Sequence, residues 1–237
     1  MAAMTALAFS CSPRGDRGST ELVLRAFLEG FREGGGQFEL HNPYKLNIAP
    51  CKGCFACWTK TPGRCAIDDD MAGILERLQR ADAVFFATPV YHYTMSEGMK
   101  RLIERTMPLL EPRVSRGPDG RARHARIGRH DQRAVLLAAC GFPEPGVFDG
   151  LRRTFTDICS MMDWSLAGEV LRTEAGLLFS GDPRARESAA GYLLMVHNAG
   201  KRVAAGEIIE PHYRSYLEED LLPRDDYYRL VNGWFEK

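Results

Sequence analysis

Short apolar runs alternate along the chain with longer segments in which apolar residues recur every three or four positions. Continuous apolar runs, such as residues 83–88, are typical of strands buried on both faces of a parallel sheet. The amphipathic segments are typical of helices that cover such a sheet. The predicted strands are residues 5–9, 37–41, 83–88, 133–139 and 165–171. The predicted helices are residues 20–33, 71–80, 97–110, 148–162 and 183–205.

Five strands that alternate with five helices predict an α/β fold. The expected architecture is a doubly wound sheet of five parallel strands with the order 2-1-3-4-5. Ligands of such sheets bind outside the carboxyl ends of the strands. The loops that follow the first, third and fourth predicted strands are therefore the predicted binding surface.

The first of these loops, residues 9–20, is rich in hydroxyl groups and glycine. Its hydroxyls and the start of the following helix form a site suited to a phosphate-like anion, and an arginine adds a planar donor group. The candidate ligands are Ser10, Ser12, Arg14, Ser19 and Thr20. The alternative is an ordinary turn with Ser19 as the N-cap, although one cap needs only one hydroxyl. Neither a Walker A loop nor a G-x-G-x-x-G fingerprint is present here.

The second and third loops carry groups suited to a flat ring. Tyr91 offers an aromatic face, and the backbone of residues 89–92 offers donors and acceptors for a ring edge. In the third loop Gly141 permits a close backbone approach, and Phe142 follows it. The alternative is that Tyr91 and Tyr93 are ordinary core or surface aromatics.

These loops resemble those of the NADPH-dependent FMN reductases of the flavodoxin-like superfamily. The first loop reads S-x-S-P-R-x-x-x-x-S-T, which resembles the S-x-S-P-R-x-x-S-x-T type of that family, and residues 89–105 fit the pattern P-x-Y-x-x-x-M-x-x-x-x-K-x-x-x-x-R. The resemblance implies a flavodoxin-like sheet that binds FMN, with the first loop on the phosphate. It implies that the isoalloxazine ring is contacted by Pro89, Val90, Tyr91 and His92, and is closed on its far side by Gly141 and Phe142. It also implies NAD(P)H as electron donor, a flavin, quinone, metal ion or partner protein as acceptor, and a homodimer or homotetramer.

Four cysteines with the spacing C-x2-C-x2-C-x7-C fall within residues 50–67, which we call the cysteine loop. They are Cys51, Cys54, Cys57 and Cys65. Thiolates at such spacing can surround one compact metal cluster. The motif, with the following Asp69-Asp70-Met71, resembles the iron–sulfur flavoproteins of the same superfamily, which implies a [4Fe-4S] cluster. A redox-active cysteine pair and reduced thiols in a structural loop are the alternatives.

The composition narrows the function classes. Lysine plus arginine and aspartate plus glutamate each number 31, so the formal net charge is zero and does not favour nucleic acid or an anionic membrane as partner. No apolar run approaches the roughly 18 residues of a membrane span. Seven cysteines, four of them in one loop, do not resemble a disulfide framework. A cytoplasmic protein is expected.

Two segments extend the predicted unit. Residues 1–206 are expected to form the flavodoxin-like FMN-binding domain, with a basic insertion at 111–132. That insertion is either a flap for an anionic group, such as the 2′-phosphate of NADPH, or a solvated loop. Residues 207–237 form an extension whose many aromatics predict packing on the domain or on a second subunit.

Three functions fit these features. The first is an NAD(P)H-dependent flavin oxidoreductase, in which the flavin performs the hydride chemistry and no protein acid or base is needed. The second is a non-enzymatic electron carrier, although such carriers are typically acidic. The third is a redox sensor that uses the cysteine loop.

Overall fold

The computed structural model describes residues 3–117, 120–210, 213, 215 and 217–236 of the chain. The strands are β1 (Thr5–Ser10), β2 (Gln37–His41), β3 (Ala83–Pro89), β4 (Leu110–Arg116), β5 (Ala122–Arg126), β6 (Gln132–Ala139) and β7 (Trp164–Arg172). The α-helices whose bounds lie within these residues are α1 (Ser19–Glu33), α2 (Ala56–Thr59), α3 (Met71–Arg80), α4 (Glu97–Glu104), α5 (Asp149–Met162), α6 (Pro183–Ala204) and α7 (Arg224–Asn232). None of the helices in these described ranges is long and apolar enough to cross a bilayer.

Five of the strands form one parallel sheet with the order β2-β1-β3-β6-β7. The strands β4 and β5 form a separate antiparallel pair. When only the strands of the main sheet are counted, this order is 2-1-3-4-5. The predicted flavodoxin-like, doubly wound α/β fold is therefore confirmed.

Two apolar layers cover the sheet, with α1 and α6 on one face and α3, α4 and α5 on the other. In β1, Leu7 and Phe9 belong to the second layer, whereas Ala6 and Ala8 belong to the first. Successive side chains of a strand point to opposite faces, so a strand covered on both sides is apolar throughout. This burial explains the continuous apolar runs in the sequence.

The helices α1 and α6 approach each other closely at two glycines. A Cβ atom at Gly30 would lie 1.8 Å from the carbonyl oxygen of His197, and one at Gly200 would lie 2.0 Å from that of Phe27. No side chain fits in either space without movement of the backbone. The packing of these two helices therefore requires glycine at both positions.

The predicted helix 97–110 is wrong in its second half, because α4 ends at Glu104. A short 3-10 turn, Met107–Leu109, follows it and leads into β4. Pro108 lies in this turn. Proline has no N–H for the helical ladder, and it disfavours a helical conformation in the residue before it. The predicted loop between β2 and α3 differs in one respect, because it contains the short helix α2.

The basic insertion 111–132 contains most of the hairpin β4–β5, which packs on the domain. The ring of His124 lies 4.7 Å from that of Trp58 in α2, so the hairpin contacts the cysteine loop. Arg126 is buried, and this burial lowers its pKa to about 10. The guanidinium of Arg129 pairs with the carboxylate of Asp82. Several arginines of the insertion therefore attach it to the domain.

The C-terminal extension contributes to the core. Leu217, Leu221, Leu222 and Tyr227 are buried in the apolar layer that contains α1 and α6. Tyr216, one of the aromatics of the extension, lies outside the described residues. The first and the last residue of the chain, at which the predicted segments 1–206 and 207–237 begin and end, also lie outside them. The described part of the extension is thus packed on the sheet domain.

Candidate functional site

The loops that follow β1, β3 and β6 lie side by side at the carboxyl edge of the sheet. The amide of Cys11 donates to the carbonyl of Ala87 at 2.7 Å, which joins the first loop to the end of β3. The hydroxyl of Ser96 donates to the carbonyl of Cys11 at 2.6 Å, which joins the first loop to the second. The amide of Val90 donates to the carbonyl of Ala139 at 2.9 Å. The structure therefore brings the three predicted loops together.

The hydroxyl groups of the first loop differ in their availability. Ser10 is buried and donates its hydroxyl proton to the buried carboxylate of Glu21. Ser19 donates to the carbonyl of Ala175 at 2.7 Å. In the described part of the chain the hydroxyl of Thr20, in the first turn of α1, has no hydrogen-bond partner. Two of the four candidate hydroxyls are thus committed to protein partners, which the sequence did not indicate.

The start of α1 has no side-chain cap. Its N-cap residue is Gly18 and not Ser19, and among the residues that the structure describes no side chain caps the first-turn amides. The hydroxyl of Ser12 accepts from the amide of Arg14 at 3.3 Å, and the exposed side chain of Arg14 donates to the carbonyl of Arg17. Uncapped amides at a helix start, with a guanidinium beside them, can bind an anion. The residues present therefore fit a phosphate group.

The second loop presents its aromatic side chains to solvent. Pro89 is the last residue of β3 and is buried. His92 and Tyr93 have φ angles of 48° and 64°, in the left-handed region that residues other than glycine rarely adopt. Tyr91, just before them, is 45% exposed. The tight turn leaves an aromatic face open at the carboxyl edge of the sheet, as a flat ligand requires.

The third loop has free space beside Gly141, and hydrogen bonds to its carbonyls hold its backbone in place. A Cβ atom at Gly141 would meet nothing within 4 Å, and Phe142 is 56% exposed. The carbonyl of Gly141 accepts a hydrogen bond from the hydroxyl of Tyr227 at 2.5 Å. The carbonyl of Phe142 accepts from the amide of Glu174 at 3.0 Å. A ring can therefore approach this loop without a clash with its backbone.

The four cysteines of the cysteine loop line one cavity of about 350 Å³. Burial and the three neighbouring cysteines raise the pKa of Cys57. All seven cysteines of the chain are free. Within the described ranges, no group of three or more ligating side chains is arranged to hold a single metal ion. The four cysteines nevertheless line one cavity together, and soft thiolate donors are suited to iron–sulfur clusters.

A buried ion pair closes the cysteine loop at its base. Both terminal nitrogens of Arg105 donate to the carboxylate of Asp69, at 2.7 and 2.9 Å, and the two side chains are only 1% and 3% exposed. Arg105 also donates to the carbonyl of Ala49 at 2.6 Å, and the amide of Ala49 donates to Asp69 at 2.9 Å. Burial alone would lower the pKa of Arg105, but its hydrogen bonds to the carboxylate of Asp69 and the nearby thiol of Cys65 raise it. Arg105 thus places a positive charge beside the cavity.

The comparison with protein families identifies the class of this chain. A profile of the NADPH-dependent FMN reductase family matches residues 4–126, which is more than half of the chain. The chain belongs to this family. The matched residues include the first two loops and the cysteine loop, and they exclude the third loop and the C-terminal extension.

The most similar curated relatives include archaeal iron–sulfur flavoproteins. One from Methanocaldococcus jannaschii is 35% identical over 106 residues, which cover 45% of this chain and 53% of the relative. One from Archaeoglobus fulgidus is 29% identical over 158 residues, which cover 67% of this chain and 65% of the relative. The chain thus spans between about half and two thirds of these relatives.

Solved structures share the fold at low sequence identity. An FMN-dependent NADH-azoreductase from Bacillus anthracis has a TM-score of 0.64 and 15% identity, with 85% of this chain and 99% of that chain covered. An NAD(P)H:quinone oxidoreductase from Methanothermobacter marburgensis has a TM-score of 0.61 and 19% identity, with 86% and 98% covered. These similarities show the flavodoxin-like fold.

The sequence analysis did not predict the contacts of three residues in the site region. Glu21 accepts from Ser10, Asp69 pairs with Arg105, and Tyr227 supports the third loop. The signal for Glu21 was an acidic residue in the first turn of a helix. No local signal indicated the partners of Asp69 and Tyr227, because these partners are distant in the sequence.

Proposed function

We propose that this protein is an oxidoreductase that binds FMN at the carboxyl edge of its sheet, uses NAD(P)H as electron donor and passes electrons to an acceptor. The observation that carries the proposal is the junction of the three loops beside an uncapped helix start, in a chain of the FMN reductase family. Bound FMN supplies the hydride and electron chemistry. The residues of the chain bind it, orient it and leave room for the second substrate.

The phosphate end of the proposed site is the first loop. The guanidinium of Arg14 and the hydroxyl of Thr20 act as donors, together with the first amides of α1. The hydroxyl of Ser12, which accepts from the amide of Arg14, is a further donor to the phosphate. Ser10 and Ser19 contribute backbone groups and hold the loop through their bonds to Glu21 and Ala175.

The ring end of the proposed site is formed by the second and third loops. Their residues contact the isoalloxazine with backbone groups and exposed aromatic faces. The residues are Pro89, Val90, Tyr91, His92, Gly141 and Phe142. The exposure of the aromatic members leaves one face accessible to a nicotinamide or an acceptor.

Replacement of Arg14 tests the phosphate end. We expect Arg14→Gln to raise the dissociation constant for FMN about tenfold, because a charge-assisted hydrogen bond contributes roughly 1.5 kcal/mol. Binding of riboflavin, which lacks the phosphate, should not change. Titration of the apoprotein with each flavin, followed by flavin fluorescence, measures both constants.

Arg17→Gln is the matched control, because Arg17 is an exposed arginine of the same loop whose side chain has no partner among the described residues. It should leave both affinities unchanged. An equal loss of FMN and riboflavin binding in Arg14→Gln would contradict the assignment of this arginine to the phosphate.

We also propose that the cysteine loop holds a [4Fe-4S] cluster. Four thiols line one cavity, and the buried guanidinium of Arg105, which pairs with Asp69, lies beside it. The curated relatives named as iron–sulfur flavoproteins support the proposal. The ligands are Cys51, Cys54, Cys57 and Cys65. The alternatives, a redox-active pair or reduced thiols, predict no iron.

Iron analysis tests the cluster. Protein purified without oxygen and reconstituted with iron and sulfide should contain about four irons per chain, and Cys57→Ser should lose most of this iron while it keeps its FMN. The control is Cys159→Ala, which changes a buried cysteine of α5 outside the loop. Background iron in wild-type protein with a full complement of FMN would remove the cluster from the proposal.

Turnover separates an enzyme from a carrier or sensor. An enzyme should oxidise NADH or NADPH continuously with a flavin, quinone or ferric acceptor, whereas a carrier should be reduced once and slowly.

The proposal includes a homodimer or homotetramer, which light scattering of the purified protein measures. It also includes a cytoplasmic location, because the seven cysteines are free.

A further inference from the structure

The third loop obtains much of its support from helix α7. The hydroxyl of the buried Tyr227 donates to the carbonyl of Gly141 at 2.5 Å. The guanidinium of Arg224, one helical turn earlier, donates to the carbonyl of Pro143 at 3.4 Å. Of residues 141–146, all except the buried Pro143 are exposed. An exposed backbone segment with few partners keeps one conformation only if those partners are kept.

Two further contacts connect the loop to the extension. The hydroxyl of Tyr228 donates to the carboxylate of Glu144 at 2.9 Å. Glu174, fully buried after β7, donates its amide to the carbonyl of Phe142 and accepts at its carboxylate from the amide of Leu221, at 2.7 Å. Glu174 therefore connects the third loop to the extension from the opposite side.

We propose that helix α7 is part of the flavin site, and that Tyr227 is a positioning residue that fixes the third loop against the ring end of FMN. The inference rests on the proposed function. It concerns elements beyond the family profile, which ends at residue 126. The ligand itself does not contact Tyr227, which acts through the backbone of Gly141.

The physical reason is preorganisation. A loop that is already ordered loses little conformational entropy when a ligand binds, so little of the binding free energy of its contacts is spent on ordering the loop. Without the hydroxyl of Tyr227, the carbonyl of Gly141 must find another donor and the loop must be ordered by the ligand. The loss should be the same for FMN and riboflavin, because both carry the ring that this loop faces. In this it differs from the loss expected in Arg14→Gln.

Tyr227→Phe tests the inference because it removes one hydroxyl and leaves the ring. We expect the dissociation constants for FMN and for riboflavin each to rise about tenfold, the upper range for one hydrogen bond. Hydrogen exchange of the apoprotein should be faster at the two amides that donate to carbonyls of this loop, those of Glu174 and Val147. The matched control is Tyr213→Phe, which removes the bond from another hydroxyl of the extension to a backbone carbonyl, that of Met195 in α6, at 2.6 Å.

The control should leave both affinities and the exchange of the loop unchanged, at a melting temperature similar to that of Tyr227→Phe. Equal flavin affinities in wild type and Tyr227→Phe would overturn the inference and leave the proposed function intact. A rise in both variants alike would also overturn it, because the effect would then be one of general stability. Wild-type protein that binds neither flavin would overturn the proposed function, and the inference with it.

Discussion

Arg105→Gln is expected to lower the free energy of unfolding by about 3–5 kcal/mol, because it leaves the carboxylate of Asp69 buried without its cation. Denaturant unfolding of the apoprotein, followed by circular dichroism, measures this change. The same variant should hold iron poorly, since the cysteine loop would lose the pair that closes its base. Both effects come from one guanidinium that is 1% exposed.

Arg101→Gln is the control. Arg101 lies in α4, one turn before Arg105, and donates to the carbonyls of Ile48 and Pro43, which precede the cysteine loop. Its side chain, however, is 19% exposed, and its acidic partner, Glu97, is exposed. The loss of stability should therefore be near 1 kcal/mol. A similar loss in both variants would contradict a special role for the buried pair.

The pair also predicts a dependence of stability on pH. Burial raises the pKa of Asp69, but the hydrogen bonds from Arg105 and two amides outweigh this and hold the pKa below its usual value. A carboxylate with a lowered folded pKa stabilises the fold fully above the unfolded pKa of about 3.9, and this contribution is lost as the pH falls below it. In Arg105→Gln the acid-induced loss in this range should be smaller.

Gly200→Ala is expected to cost about 3 kcal/mol or more of stability, even though alanine favours a helix by about 1 kcal/mol. Its Cβ would lie 2.0 Å from the carbonyl oxygen of Phe27, so α1 and α6 would have to separate. Gly191→Ala, on the same helix, meets nothing within 4 Å and should instead stabilise the protein by about 0.5–1 kcal/mol. Thermal unfolding of both variants measures whether each substitution lowers or raises the stability of the protein. A stabilised Gly200→Ala would mean that the helices do not pack this closely.

The sheet could be predicted from the sequence because its signal is local. A strand covered on both faces must be apolar along its length, so the apolar runs at residues 83–88 and 133–139 predicted two strands. The order of the strands and the position of the loops then followed from the general properties of doubly wound sheets. The end of α4 was missed because the apolar period continues beyond it, whereas Pro108 ends the helix by backbone chemistry.

The site could be predicted less completely than the sheet. Which loops meet depends on strand order alone, and these loops do meet. Which hydroxyls are free depends on partners elsewhere, such as Ala175 for Ser19, and a loop sequence contains no information about them. The same limit applies to Asp69 and Arg105, two residues in motifs that were read separately and that the fold joins.

The closure at the base of the cysteine loop makes this segment an exchangeable module. Its two ends are joined by the bonds between Ala49 and Asp69 and by that between the amide of Asp70 and the carbonyl of Asn47. A segment whose ends are held together can be replaced by another of different length or ligand content with little effect on the sheet. Grafts between Ala49 and Asp69 are therefore a route to give this scaffold a different inorganic centre.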